Sequence, residues 1–413
     1  KGLLAVVAAC AGERAVAPVA RFLKEYYGTR AAQGNALIAM LAWIEHPSAT
    51  QLMLSVGSRF RTKSFQEEAT RQAEALAERK GWTLSELADR TIPSAGFDET
   101  GTLELSYGDR MFTAKLLPDF KIELFNPDGK KTAALPEPRQ DDDGERAKDA
   151  KKAFSAAKKE IKNIVALQTE RLYEALCTAR DWPCEDWQRF LNQHPVMRYL
   201  VQRLIWSVIE DGRVLATFRP LEDGTLSDND DNPVSPAADT RVRLAHDSNL
   251  PSEDMARWQQ HLVDYEVAPL FQQFGKGTYT LPADKKHATS IDAFEGHLIE
   301  AFALRGRALK LGYTRGPTED GGWFMTYEKR FPTLGMKAVI EFTGNPLPEE
   351  NRTVALLKLS FEAVRQGGDA HERSEMPLSD VPAVLLSECY NDVRLIARDG
   401  SGFDPDWQKK SEY

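Results

Sequence analysis

The chain has 413 residues, a length that suggests two to three domains. Its residues are 42% hydrophobic and 28% charged, which is the composition of an ordinary soluble globular protein. Its formal net charge of −9 excludes a global positive field that would draw it to DNA or to anionic lipid. Only a local basic stripe could serve that purpose.

The four cysteines lie far apart and include no C-x-x-C pair. This fits reduced core thiols of a cytoplasmic protein better than a disulfide framework or a zinc site. No apolar run approaches the roughly 18 residues of a membrane span, so we expect no membrane association. The chain begins with Lys1 rather than methionine, which suggests a fragment of a longer polypeptide. The cysteines are Cys10, Cys177, Cys184 and Cys389.

Helical repeats are predicted at the N-terminus. GLLAVVAAC (2–10) recurs as ALIAMLAWI (36–44), and AVAPVA (15–20) recurs as SATQLM (48–53), at offsets of 34 and 33 residues. Helix-turn-helix units of this period are typical of HEAT-like solenoids, and an irregular helical bundle is the alternative. We assign residues 1–93 to HEAT-like helical repeats.

A third helix is predicted over 64–81, ending at Gly81, and Thr83 with Glu86 forms a capping box over a short helix. Residues 94–138 then predict a small antiparallel β subdomain, because alternating or β-branched runs are separated by turn residues. The runs are TLELSYG (102–108), RMFTAKLL (110–117) and FKIELF (120–125).

A central helical and hairpin part is assigned to residues 139–290. Its first helix, about 145–180, carries eight basic and four acidic residues between 145 and 171. Those lysines are either nucleic-acid contacts or simply a solvated face. Direct nucleic-acid binding is not expected, and the lysines that would serve it are Lys151, Lys152, Lys158 and Lys159.

Two further helices, 182–192 and 194–208, are predicted next, with Pro195 in the first turn of the second. A hairpin over 213–236 follows, with its turn at Asp223 and Gly224. A C-terminal α+β meander is assigned to residues 291–413. It comprises helix 291–310, strands 322–331, 336–342 and 353–361, and helix 381–398. The fold class is therefore α+β with mixed helices and small antiparallel sheets.

The order HP…RYLVQRLIW…ATFRPLEDGTL…AH…W…DYEVAPLFQQ, preceded by FTAKLLPDFK and ALPEPRQDDD, resembles domain-of-unknown-function family 4132. The resemblance covers roughly residues 85–345. Asp247 departs from the pattern, which has proline after the histidine, and 270–276 lacks the usual PF-x-QL. The family occurs in bacterial MolR-type proteins beside WGR domains, and the resemblance implies no reaction.

The polar residues inside the family-like segments allow two readings. In an enzyme, a histidine would be the acid/base, a carboxylate would orient it, and Arg203 or Arg219 would clamp an anion. In a structural protein, the arginines would pair with carboxylates, His194 would cap its helix, and Tyr265 would bond the backbone. The catalytic candidates are His194, His246, Glu222, Asp264 and Tyr265, and the ligand-binding candidates are Arg203, Arg219 and Asp223.

Motifs that would announce a cofactor or a metal are incomplete. DGTLSDNDDN (223–232) lacks the glycine and distal glutamate of an EF-hand, and GKG (275–277) is neither a P-loop nor a dinucleotide fingerprint. HLIE (297–300) has only one histidine. We therefore expect no cofactor and no metal.

Arg203 is predicted to be more than half buried at an internal seam, beside Tyr199 and Trp206, and paired with Glu222, Asp223 or Asp264.

The chain is expected to be a regulatory or scaffolding module of a larger cytoplasmic bacterial protein, whose partners are other domains of that chain or a second protein. The alternative is an enzyme that acts on a phosphorylated or nucleotide-like ligand.

Overall fold

The computed structural model describes residues 2–26, 29–59, 62–364 and 375–411. The chain divides into two compact units. The four-part division expected from the sequence is not tested by this result and stays a prediction. Unit 1 consists of Lys1–Leu172, Trp182–Val242 and Val267–Leu270, and unit 2 of Tyr173–Asp181, Arg243–Glu266 and Phe271–Tyr413.

The N-terminal part of unit 1 consists of helices that share one apolar core. Gly34 lets two of them approach closely, because a Cβ there would lie 2.3 Å from the Phe65 ring. The predicted ends are confirmed: Gly81 has a left-handed φ of 67°, and Thr83 and Glu86 form the capping box. A HEAT-like arrangement is not shown. The helices are α1 (Gly2–Ala11), α2 (Val16–Glu25), α3 (Ala31–Leu41), α4 (Pro47–Arg59), α5 (Lys63–Lys80) and α6 (Leu84–Arg90).

The first helical stretch is longer and more apolar than the sequence analysis allowed. Gly2–Glu25 spans 24 residues, and by length and composition alone it qualifies as a membrane-crossing helix among the described residues. This corrects the statement that no apolar run approaches such a length. Core helices of soluble proteins and N-terminal leader sequences can be equally long and apolar, so the stretch is weak evidence for a membrane.

A four-stranded antiparallel sheet follows, as predicted, in the order β1-β2-β3-β4. Its apolar face packs against the first turns of the long helix α7, where Ala147, Ala150 and Phe154 are buried with Leu105 and Phe112. The elements are β1 (Thr102–Ser106), β2 (Met111–Leu116), β3 (Ile122–Phe125), β4 (Lys131–Thr132) and α7 (Gly144–Cys177).

The helix predicted over 194–208 is wrong. Only α9 is helical there, and β6 begins at Trp206, which lies edge-on to Trp187 with ring centroids 5.2 Å apart. Four consecutive residues of β6 are buried, so the run lacks the alternation that identifies a half-buried strand. The elements are β5 (Asp181–Pro183), α8 (Cys184–Trp187), a π-helix (Gln188–Asn192), α9 (Arg198–Val201), β6 (Trp206–Glu210), β7 (Arg213–Pro220), β8 (Leu226–Ser227) and β9 (Arg241–Leu244).

These strands form a sheet of order β5-β9-β6-β7-β8. The predicted hairpin is confirmed, since β7 pairs with β8 and the Gly224 N–H closes the turn onto the Leu221 carbonyl.

Unit 2 is built on a seven-stranded antiparallel sheet of order β12-β13-β14-β15-β11-β16, with β10 also paired to β15. The predicted strands and last helix are confirmed, but the helix expected over 291–310 begins only at Ala301, after two strands. The elements are α10 (Ser252–Asp264), β10 (Ser290–Ile291), β11 (His297–Glu300), α11 (Ala301–Lys310), β12 (Thr314–Arg315), β13 (Phe324–Phe331), β14 (Met336–Asn345), β15 (Thr353–Ala363), α12 (Ala383–Arg398), β16 (Gly402–Phe403) and α13 (Trp407–Lys410).

Gly400 and Gly306 give a matched test of this packing. A Cβ at Gly400 would lie 2.1 Å from the Leu298 carbonyl oxygen of β11, whereas a Cβ at Gly306 in α11 meets nothing within 4 Å. Gly400→Ala should therefore lower the free energy of unfolding by about 1 to 3 kcal/mol. Gly306→Ala should raise it by about 0.5 to 1 kcal/mol. Urea unfolding measures both, and equal effects would contradict this packing.

Candidate site: a buried charge network in unit 2

Helix α12 carries two carboxylates one turn apart into the interior of unit 2. Glu388 and Asp392 are spaced i and i+4, so both project from one face of the helix. Their side chains are 1% and 3% exposed. A charge taken this far from water is stable only when other groups compensate it.

Glu388 accepts hydrogen bonds from three side chains. Its Oε1 receives His246 Nε2 at 3.3 Å, and its Oε2 receives Lys276 Nζ at 2.6 Å and the Tyr173 hydroxyl at 3.0 Å. Burial by itself would raise the pKa of Glu388, but the bonds from His246 and Lys276 outweigh it and lower the pKa to about 2. Glu388 is therefore an ionised carboxylate.

The hydrogen bonds of His246 identify its tautomer. Its Nδ1 accepts the Ser248 backbone N–H at 3.1 Å, so in the neutral ring the proton is on Nε2, which faces Glu388. The Ser248 hydroxyl also lies 2.9 Å from Nδ1. His246 is 1% exposed, and both of its ring nitrogens are bonded. The ring therefore caps the short turn after it and buttresses Glu388.

A second ion pair continues the network. Lys329 Nζ lies 3.0 Å from Asp392 Oδ2 and 3.2 Å from the Tyr173 hydroxyl, which thus links Lys329 to Glu388. Burial opposes the charge of Lys329, but Asp392 raises the pKa of the ammonium above its usual range. Tyr173 also presents its ring face to Lys329, 4.5 Å from the ammonium.

A third carboxylate, Asp247, is bonded to backbone. Its Oδ1 accepts the Gly275 N–H, and its Oδ2 accepts the N–H groups of Lys276 and Gly277, each at 2.9 Å. The GKG triplet that matched no phosphate-loop motif therefore surrounds a carboxylate of its own chain.

Two cysteines and two tyrosines near the ion pairs are uncharged. Burial raises the pKa of the Cys177 thiol well above its usual range and that of Cys389 to about 12. Both thiols are protonated and cannot act as nucleophiles at neutral pH. Burial also raises the pKa of Tyr173 and of Tyr313 well above the ordinary value. These two thiols and two hydroxyls therefore add no charge beside the ion pairs.

Chemically, the arrangement resembles an acid/base site but lacks access for a substrate. A histidine and a lysine each lie within hydrogen-bond distance of one carboxylate, as in a general acid/base site. The His246 ring and the Glu388 carboxyl are buried, however, and every ring nitrogen already has a partner. Among the described residues, no group of His, Cys, Asp and Glu side chains forms a metal-binding cluster.

Most residues nominated from the sequence lie in unit 1 and do not converge. His194 Nδ1 accepts the backbone N–H groups of Val196 and Met197, and its Nε2 bonds to the Ile92 carbonyl at 3.1 Å. Burial lowers its pKa to about 4, so the ring is neutral. Arg219 is buried against the carbonyls of Gln202 and Pro220.

The hairpin-tip carboxylates are on the surface. Glu222 and Asp223 are exposed, and Asp223 accepts the Thr225 N–H and hydroxyl within the turn. These hydrogen bonds lower the pKa of Asp223. The DGTLSDNDDN stretch is closed in the same way, since Asp228 accepts N–H groups of its own turn.

Arg203 corrects a prediction. It is mostly buried, as expected, but its guanidinium donates to the Pro118 carbonyl at 2.7 Å and lies 5.3 Å from the Phe120 ring. In the part of the chain that the structure describes, it pairs with none of the three expected carboxylates. The reason is that α9 ends at Val201, so the stripe assumed for a longer helix does not exist.

Three of the residues nominated from the sequence lie in unit 2: His246, Asp264 and Tyr265. Only His246 belongs to the charge network. Asp264 accepts from Gln260 at 2.7 Å, and the Tyr265 ring lies 4.5 Å from His261. Sequence reasoning missed Glu388, Lys276, Lys329 and Asp392. The one available signal was the pair of acidic residues inside the apolar pattern of α12.

The basic residues of α7 lie on a solvated face. Lys151 pairs with Glu137 at 2.7 Å, Lys152 pairs with Asp149 at 3.3 Å, and the Lys158 ammonium lies over the Phe154 ring at 4.0 Å. Lys159 is exposed.

Fold and site together define an α+β protein with an internally neutralised charge network. Residues 129–313 match the family described as Domain of unknown function (DUF4132), which supports the resemblance over that region. The chain is also 27% identical over 315 residues to the uncharacterized protein YehI of Escherichia coli strain K12, an alignment that covers 74% of this chain. It spans only 26% of the length of that relative. No solved structure matches the chain.

Acid titration tests the charge of Glu388. Because its pKa is lowered from 4.5 to about 2, it adds stability that is complete above pH 4.5 and is lost as the pH falls toward 2. The lost contribution is about 3 kcal/mol. Glu388→Gln should be less stable than wild type at pH 7, and the difference should shrink below pH 4.5.

Urea unfolding from pH 7 to pH 2.5 measures this difference. Glu295→Gln is the matched control, because Glu295 is an exposed glutamate of the same unit. A difference between wild type and Glu388→Gln that stays constant with pH would show that Glu388 is not ionised in the folded protein.

Proposed function

We propose that the chain is a regulatory or scaffolding module of a larger cytoplasmic bacterial protein. Its partners would be other domains of that protein or a second protein, without a membrane and without direct nucleic-acid binding. We further propose that this larger protein is of the MolR type and that helices α1 to α6 are HEAT-like repeats. The greater length of the bacterial relative supports a role as one part of a longer chain.

The observation that carries the proposal is the saturation of His246. A general base must reach the proton that it removes, either directly or through one water. His246 is buried, its Nδ1 is held by Ser248, and its Nε2 is held by Glu388. Glu388 is in turn held by Lys276 and Tyr173. Such a network fixes the positions of its elements and engages both His246 and Glu388, the pair that an acid/base step would use.

The second candidate is an enzyme that acts on a phosphorylated or nucleotide-like ligand. It is favoured by the same cluster, because a histidine oriented by an ionised carboxylate is the core of many acid/base sites. In this reading, the structure would have to open before His246 could meet a substrate.

Phosphate-ester turnover separates the two candidates. The substrates are ATP, p-nitrophenyl phosphate and bis(p-nitrophenyl) phosphate, and the readout is release of phosphate or nitrophenol. The proposal predicts the same background rate for wild type, His246→Gln and Glu295→Gln. It would be overturned by turnover that scales with protein concentration, persists in Glu295→Gln, and is lost in a His246→Gln protein with a native circular dichroism spectrum.

A further inference from the structure

An aromatic row lies at the surface of unit 2. Neighbouring ring centroids along it are 4.1, 5.3, 5.6 and 6.2 Å apart, so the rings form one continuous apolar strip. Every residue of the row is at least partly exposed, and Phe403 is 63% exposed. In order, the row consists of Tyr279, Tyr390, Phe294, His297 and Phe403, with Trp407 beside Phe403.

The surrounding backbone holds the row in place. Tyr390 belongs to α12, and the backbone N–H of Tyr279 donates to Ser387 Oγ of the same helix at 2.9 Å. Gly296 has a φ of 76°, and a Cβ there would lie 2.5 Å from the Trp407 ring, so the indole packs directly on the backbone. Because these rings are already positioned, a molecule that binds them pays little for ordering side chains.

Three side chains of the row keep a hydrogen-bond donor for another molecule. The hydroxyls of Tyr279 and Tyr390 and the indole N–H of Trp407 have no partner in the part of the chain that the structure describes, and none of these atoms is buried. Tyrosine and tryptophan are enriched in binding surfaces because each combines a large apolar ring with such a polar group. A matching partner presents an apolar face together with acceptors.

Two lysines beside the row are neutralised. Lys285 lies 3.2 Å from Asp292, and Lys410 pairs with Asp404, which follows Phe403 in the chain. A single nucleic acid strand requires a positively charged groove next to the aromatic rings, and these paired lysines do not supply one. The charges therefore favour an uncharged partner.

A proline-rich segment in the polyproline II conformation has the required properties. Its backbone makes no internal hydrogen bonds, so its carbonyls are free acceptors, and proline has no N–H that needs an acceptor in return. Its pyrrolidine rings are apolar and uncharged. Such segments dock in aromatic-lined grooves, and they lose little conformational entropy on binding because they are preformed.

We propose that the aromatic row binds a proline-rich segment of a protein partner. The rings contact the prolines, and the free hydroxyls and the indole N–H donate to carbonyls of the segment. This inference rests on the proposed function, because it names the kind of partner that a scaffolding module would hold at this surface.

Acetylated decaproline is the probe, titrated into protein whose tryptophan indoles carry 15N. The indole resonance of Trp407, assigned with Trp407→Phe, should shift in a saturable way, and a Gly-Ser peptide of equal length should leave it unchanged. Phe403→Ala should weaken the binding of decaproline at least fivefold. Phe302→Ala is the matched control, because Phe302 is an exposed phenylalanine of unit 2 outside the row, and it should bind as wild type does.

The proposal would be overturned if decaproline left the Trp407 resonance unshifted, or if Phe302→Ala weakened binding as much as Phe403→Ala. A resonance that shifts with cellohexaose or with a short oligo-dT strand, but not with decaproline, would overturn it as well and would assign the row to a sugar or to nucleic acid. None of these results changes the outcome of the phosphate-ester assay, so failure of this site and failure of the proposed function are distinguishable.

Discussion

The ionised carboxylate of Glu388 inside the apolar core of unit 2 is the constraint on which the surrounding structure depends. An unpaired charge in such a place costs several kcal/mol, so its donors must be held in position by the fold. They come from three different parts of the chain: His246 before α10, Lys276 in a loop, and Tyr173 at the end of α7. One side chain thereby fixes the positions of these segments against α12.

Tyr173 extends this constraint to a second ion pair. Its hydroxyl donates to Glu388 and accepts from Lys329, which is paired with Asp392 one turn further along α12. The two pairs share a water-poor interior, where each interaction is stronger than at the surface and where a missing partner is correspondingly costly. We infer that the network selects one packing of α12 over the sheet, because an alternative position would leave charges unpaired.

Sequence periodicity predicted the local elements and could not predict this network. The capping box at Thr83 and the helix stop at Gly81 depend on residues a few positions apart, so the sequence shows them directly. The partners His246 and Glu388 are 142 residues apart, and no local pattern joins them. The strand at Trp206 was missed because continuous burial removed its alternation, and that error also misplaced the stripe of Arg203.

A double-mutant cycle between Lys276 and Glu388 tests the central claim most directly. Lys276→Met alone strands a buried carboxylate and should lower the free energy of unfolding by about 3 to 5 kcal/mol. Adding Glu388→Gln removes that charge, so the double variant should be more stable than the sum of the single effects by at least about 2 kcal/mol. Additive losses, measured by urea unfolding at pH 7, would contradict the account.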